Sequence, residues 1–154
     1  MKTIPFKSTT GNQYLIGFTE FENISLSLSV PIVNITIERI TDYRVSIGLT
    51  DLIKISRIIK DYLESNNVVL YYYCDNKEIE RSKKNLSRSP QEYRNILFDK
   101  LFEIGSKNGE FIKDDIVIND QTNNIIHFIS LISRSSNNAS MTQISNEIAL
   151  LNDK

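Results

Sequence analysis

The segment Val68–Cys74 constrains the fold of this chain more than any other. It reads VVLYYYC, and its residues are apolar or aromatic on both faces of an extended chain. Such a run is typical of a strand in the middle of a sheet and not of a strand at its edge. Asp75 follows directly, so a polar residue lies where this strand ends and the chain continues towards the next helix. In open α/β layers, that junction is where binding sites usually form.

Further strands are predicted on both sides of this segment. Before it, apolar residues that alternate or cluster predict an antiparallel meander of four strands at Tyr14–Phe21, Ile24–Val30, Ile32–Ile40 and Tyr43–Leu49. After it, a hairpin is predicted at Phe111–Asn119 and Ile125–Ser133, joined by the polar turn Asp120–Asn124.

Helical periodicity and capping signals predict two main helices and a shorter one. Thr50 is a candidate N-cap for a helix over Asp51–Glu64. Ser89, Pro90 and Glu92 form a capping-box pattern, and Gly105 is a candidate C-cap, so a second helix is expected at Pro90–Ile104. The third helix is expected at Ser140–Leu151, and a further short one within Lys77–Leu86 is an open alternative.

These elements predict one α+β domain spanning residues 1–154. The expected sheet is mixed and mostly antiparallel, with the two main helices packed on it. The predicted order is β-β-β-β-α-β-α-β-β-α.

Charge and composition exclude several classes of protein. The net charge of -1 and the pI of about 5.9 give no overall cationic field for nucleic acid or anionic lipid. The sequence shows neither a signal peptide nor an apolar run of membrane-spanning length, so we expect a cytoplasmic protein. One cysteine and one histidine exclude an internal disulfide and a cysteine-based zinc site, and no metal or cofactor is expected. Frequent Ile, Asn and Lys indicate an A/T-rich bacterial or phage genome.

Three segments carry a family resemblance: Phe6–Tyr14, Tyr71–Asp75 and Arg94–Phe102. Together they resemble a family of small Bacteroidota proteins of unknown function. Its motifs are Phe-x-Thr-x-x-Gly-x-x-Tyr, Tyr-x-Cys-Asp and Arg-x-x-Leu-Phe-x-x-Trp-Phe. The chain departs from them at Leu101, where the family tends to have Trp, and in a longer segment before Arg94. The resemblance covers most of the chain and implies no activity, cofactor or site residue.

Arg94 is the first candidate site residue, because helical projection places it on the apolar side of its helix, near Phe98. A guanidinium at such a position must extend to solvent, pair with an acidic group or bind an anion. The favoured interpretation is a structural bridge to Asp75, in which case Asp75→Ala would cost about 3 kcal/mol and be worse than Arg94→Met. The alternative is an anion site made of Arg94, Lys77, Asp75 and the amides at the helix start.

Three other sets of residues carry weaker signals for a site. Cys74 and His127 are the only thiol and imidazole, but no Cys-His enzyme signature surrounds them, so both are expected to be structural. Asp114, Asp115 and Asp120 do not match the spacing of a calcium loop. The basic residues between positions 77 and 88 are interrupted by acids and predict a solvated loop.

The predicted function is a non-catalytic cytoplasmic interaction module whose partner is another protein or a second copy. Ile24–Val30 alternates apolar residues with small hydroxyl residues and lacks the charges that normally protect a sheet edge, so a homodimer through this strand is expected. The alternative is an anion-binding or nucleic-acid-phosphate-binding domain that uses Arg94 and Lys77. A small enzyme ranks below both, and no catalytic residue is assigned.

Overall fold

The apolar run at Val68–Cys74 forms a central strand. The computed structural model describes residues 2–9, 11–21, 30–40, 47–75, 85–106 and 109–150. The strands of this part of the chain are β1 (Lys2–Lys7), β2 (Gln13–Glu20), β3 (Ile32–Arg39), β4 (Val69–Cys74), β5 (Phe111–Asp120) and β6 (Ile125–Arg134). Its helices are α1 (Leu49–Ser65), α2 (Pro90–Gly105) and α3 (Asn138–Leu150), with a 3-10 turn at Ser135–Asn137 before α3.

The described strands form one sheet in the order β1-β2-β3-β4-β6-β5. All neighbouring pairs are antiparallel except β3 and β4, which are parallel and are joined through α1. Since β4 lies between β3 and β6, its two-sided apolar pattern follows from its place in the sheet. The predicted fold class, a single α+β domain with a mostly antiparallel mixed sheet, is confirmed.

Helices cover both faces of the sheet. α1 and α2 pack on the first face, where Leu70, Tyr72 and Cys74 of β4 enter the main core. α3 packs on the second face over a smaller core, made of Val30, Ile32, Val69, Leu131, Met141 and Ile144. Alternation of side chains along each strand therefore assigns every residue of β4, β5 and β6 to one face or the other.

The helix ends differ from the predicted ones by one or two residues at both ends of α1, at the end of α2 and at the start of α3, which begins at Asn138 and not at Ser140. α1 begins at Leu49 after an N-cap at Gly48, and not at Asp51 after Thr50. α2 has the predicted cap, because the Glu92 backbone N–H donates to Ser89 Oγ at 3.2 Å. It runs through Gly105 and ends at Ser106, whose N–H donates to the Phe102 carbonyl at 2.9 Å. Gly105 is helical with no positive φ, so it does not cap the helix as predicted. A Cβ at this position would make only ordinary contact with Ser56 of α1, at 3.7 Å.

The N-terminal strands differ from the prediction in two respects that the structure can show. β2 pairs directly with β3, so the predicted meander, in which Ile24–Val30 comes between these two strands, is wrong. β1 at Lys2–Lys7 was not predicted, because the segment is short and contains Pro5. Proline is tolerated there because β1 is an edge strand that pairs with β2 alone among the described strands.

Three predicted elements fall wholly or mainly outside the described residues. For the strand Ile24–Val30, the structure describes only Val30, which is buried. The strand Tyr43–Leu49 is described from residue 47 onward, where Ile47 and Gly48 have no regular structure and Leu49 belongs to α1. The short helix within Lys77–Leu86 is described only from residue 85 onward.

None of the helices in the described ranges is long and apolar enough to cross a membrane.

Candidate functional site

The carboxyl ends of β3 and β4 lie at the same edge of the sheet, because the two strands are parallel. α1 follows β3 along the chain and α2 follows β4. The start of α2 is fixed at this edge by Arg94, which contacts the residue directly after β4. We call this region the carboxyl edge, and it is where the sequence predicts a site.

Arg94 and Asp75 are paired at the carboxyl edge, as predicted. Arg94 Nη1 donates to the backbone carbonyl of Asp75 at 2.9 Å and lies 3.6 Å from its Oδ1. The Arg94 side chain is 16% exposed and that of Asp75 is 44% exposed. The shorter contact is to the main chain, which Asp75→Ala would leave in place. The expected cost of Asp75→Ala therefore falls from about 3 to about 1 kcal/mol or less.

The anion site proposed for Arg94 stays a prediction. Lys77, its second cation, lies outside the described residues. Arg94 already directs its charge at Asp75, so an anion at this place would compete with a carboxylate and a carbonyl oxygen.

Cys74 is buried in the main core and is 1% exposed. Burial raises the pKa of its thiol to about 12, and the nearby positive charges of Arg94 and Lys113 only partly oppose this. The thiol is therefore protonated at neutral pH, a state that disfavours nucleophilic attack.

His127 lies on the other face of the sheet from Cys74. Phe128 is the register partner of Cys74, so the neighbouring His127 points to the opposite face. There a hydrogen bond of 2.7 Å joins His127 Nδ1 and the Tyr73 hydroxyl. One ring nitrogen of His127 is therefore satisfied, and the residue lies on β6, which is inside the sheet between β4 and β5 and not at its margin. The sheet separates His127 from Cys74, so they do not form a dyad.

The three aspartates of the rejected cation site each have a different partner. Asp120 opens the β5–β6 turn, and hydrogen bonds from the side chain and backbone of Asn123 lower its pKa. Asp114 accepts a hydrogen bond from Ser145 Oγ of α3 at 3.3 Å. Within the described residues no group of three or more acids, histidines or cysteines could hold a metal ion.

Asp115, the third aspartate, belongs to an ion cluster that the sequence did not predict. Lys113 Nζ bridges Asp99 of α2 and Asp115 of β5, while its side chain is only 6% exposed. Ser130 Oγ on β6 donates to Asp115 Oδ1 at 2.9 Å. The cluster ties α2 to the sheet. The ion pair between Asp99 and Lys113 joins residues that the sequence alone does not place together, because they lie on different elements.

A narrow cavity lies between α1 and α2, but it is too small for a substrate. Its volume is about 30 Å³, which is room for one or two water molecules. Its walls are mostly apolar and include Ile59, Leu63, Phe98, Leu101 and Phe102.

The outer edge of β5 presents a different kind of surface. Among the described strands β5 pairs only with β6, so its other side carries main-chain N–H and C=O groups without a strand partner. At its centre lie Ile116, Val117 and Ile118, and Val117 is 55% exposed. Ile126 of β6, a diagonal neighbour of Val117 on the same face, is 44% exposed. We call the stretch 114–120 the outer edge of β5.

The opposite edge of the sheet is protected. β1 carries Pro5, which removes one donor from the ladder, and Lys2 and Lys7 near its ends. Proline and lysine are the devices that natural sheets use against unwanted strand pairing. The centre of β5, Ile116–Ile118, has neither proline nor lysine, and the charged residues of β5 lie towards its ends.

Comparisons with known proteins identify no relative. No family model matches the chain, and no match is found among curated proteins or solved structures. The resemblance to the Bacteroidota family stays a prediction. The function must therefore be argued from the geometry of the described residues.

Proposed function

We propose that this protein is a non-catalytic interaction module that binds an extended segment of a partner protein along the outer edge of β5. The observation that supports it is the exposure of Val117, 55%, at the centre of an edge without proline or lysine. An unpaired edge with an exposed apolar centre is a template on which another strand can pair.

A partner strand beside β5 would both pair with its outward main-chain groups and cover its exposed apolar side chains. A partner strand beside β5 takes up the outward main-chain N–H and C=O groups, which gives affinity with little dependence on sequence. Its alternate side chains then cover Val117 on one face of the sheet and Ile116 with Ile118 on the other. Burying these apolar groups adds about 25 cal/mol for each Å² removed from water.

A second copy of the chain fits this edge poorly. If two β5 strands pair antiparallel about Val117, Asp114 of each copy lies opposite Asp120 of the other. Like charges directly opposite one another destabilise a pair of strands. A different protein is therefore the favoured partner for β5. The homodimer predicted through Ile24–Val30 stays a prediction, because only Val30 of that strand lies within the described residues.

The second candidate function, anion binding at the carboxyl edge, rests on Arg94. Its side chain is close to the start of α2, where main-chain N–H groups and the helix dipole favour negative charge. The contacts of Arg94 with Asp75 favour the structural role, so we rank this function second.

The test is selection of binders from a displayed library of random seven-residue peptides. The parent protein should enrich peptides with an apolar centre, and the variant Val117→Lys should not, because it places a lysine at the centre of the edge. Thr3→Lys is the matched control, since it adds the same charge at an exposed position on β1, the other edge strand. Equal enrichment by the parent and Val117→Lys, or none by the parent, would contradict the proposal.

A further inference from the structure

The outer edge of β5 has acidic groups at its ends and apolar groups at its centre. Asp114 and Asp115 precede Ile116–Ile118, and Asp120 follows them. Lys113 is the one basic residue of β5, and its charge is already held by Asp99 and Asp115. The edge therefore presents negative charge on both sides of an apolar centre.

We infer that the partner segment is an extended peptide with an apolar centre and a basic residue at each end. This rests on the proposed function, because it specifies the partner of the same edge. Opposite charges at facing positions of neighbouring strands stabilise the pair, and like charges destabilise it.

The two faces of the sheet define the order of residues in such a peptide. Asp114, Ile116, Ile118 and Asp120 share the α3 face, so they face residues one, three, five and seven of a seven-residue partner. Basic residues at positions one and seven of the partner match the two aspartates, and apolar residues at positions three and five match the two isoleucines. On the other face, Asp115 and Asn119 favour polar residues in the partner, and Val117 favours an apolar one.

Local contacts keep the two end charges at the edge. Asp120 is held by Asn123, with hydrogen bonds of 2.8 and 3.2 Å, and is 30% exposed. Asp114 is held by Ser145 of α3 at 3.3 Å. Both side chains are thus anchored on the α3 face, and a lysine or arginine of a partner strand would meet carboxylates that are already oriented.

Two peptides that differ only in their end charges test the inference. The basic peptide is Lys-Thr-Val-Val-Val-Thr-Lys and the acidic one is Glu-Thr-Val-Val-Val-Thr-Glu, both with blocked termini. Each reads the same in both directions, so either strand orientation gives the same facing residues. In fluorescence anisotropy titrations the basic peptide should bind about tenfold more tightly, from two facing charge pairs. This preference should shrink in 1 M salt, where the Debye length is about 3 Å.

Neutral variants assign the preference to particular residues. The double variant Asp114→Asn with Asp120→Asn keeps hydrogen-bond acceptors for Ser145 and Asn123, and should reduce the tenfold preference to about twofold or less. The control is Asp61→Asn with Glu103→Gln, which changes the net charge equally at exposed positions of α1 and α2 and should leave the preference unchanged.

The outcomes separate this inference from the proposed function. If both peptides bind equally and Val117→Lys abolishes both, the edge binds a strand but the inference about charge is wrong. The inference is also wrong if the control variant lowers the preference as much as the double variant does. If neither peptide binds up to about 1 mM, or Val117→Lys leaves binding unchanged, the proposed function fails and the inference with it.

Discussion

Lys113→Met should destabilise the protein by removing the cation that holds α2 on the sheet. The Lys113 side chain is 6% exposed and lies between Asp99 and Asp115. Methionine fills much of the same space but carries no charge, so the two carboxylates would face each other without a cation. The variant thus isolates the charge of Lys113 from its packing.

The exposure of the three side chains sets the magnitude. Removing one partner of a fully buried ion pair costs about 3–5 kcal/mol, and exposed pairs contribute about 0–1 kcal/mol. Asp99 is 40% exposed and Asp115 is 46% exposed, although Lys113 is buried. We therefore expect a loss of about 2 kcal/mol in the free energy of unfolding. For a chain of this size that corresponds to a fall in Tm of about 4–8 °C.

Urea and thermal unfolding monitored by circular dichroism measure this loss. Lys100→Met makes the same change at an exposed position on α2 and should stay within about 0.5 kcal/mol of the parent. Adding Asp99→Asn and Asp115→Asn to Lys113→Met removes the facing charges and should restore most of the stability. If Lys113→Met is as stable as the parent, or the triple variant is less stable still, the reasoning is refuted.

Three further predictions concern the core and the carboxyl edge. Cys74 should react slowly with thiol reagents in the native protein compared with the unfolded chain. Its folded pKa is raised to about 12, so the thiol of the unfolded chain ionises first as the pH rises. The parent should therefore lose about 1.5 kcal/mol more stability than Cys74→Ala between pH 8 and pH 10; fast native labelling or parallel pH profiles would contradict this. Asp75→Ala should cost about 1 kcal/mol or less in urea unfolding because the Arg94 hydrogen bond to the main chain persists, and a loss near 3 kcal/mol would show that the carboxylate matters more than the carbonyl. Gly17→Ala should cost about 1–3 kcal/mol since its Cβ would lie 2.6 Å from Thr36 Oγ1; Thr36→Ala should restore the loss, and an unaffected Gly17→Ala would contradict the steric argument.

The sequence predicts best the elements whose signals are local. Ser89 and Pro90 specify the start of α2, and the apolar runs of β4, β5 and β6 specify those strands to within a residue or two. Leu49 was misleading because an apolar side chain beside a strand-like run suggests a strand. In the structure it is 67% exposed in the first turn of α1. β1 was not predicted because it contains Pro5. Proline is compatible with a strand only at a sheet edge, and the order of all the strands determines that β1 lies there.

The candidate site was predictable only where one element supplies its residues or where two elements follow each other. Arg94 could be assigned to Asp75 because the strand before α2 ends at the helix start. The Lys113 cluster combines α2, β5 and β6, and the sequence Lys-Asp-Asp reads as a solvated segment unless the pairing of β5 with β6 is known. The outer edge of β5 likewise depends on the strand order, which places β6 and not β5 beside β4.

The central claim, that the outer edge of β5 takes up a partner strand, is tested most directly by amide-resolved hydrogen exchange. The exchange is measured with and without a saturating amount of the basic peptide. Amides within residues 114–120 should become protected on binding, because only there would the partner supply new main-chain hydrogen bonds. The exchange rates of the amides of β1, at the opposite edge of the sheet, should not change. Protection confined to β1 or to α1, with none at residues 114–120, would contradict the account.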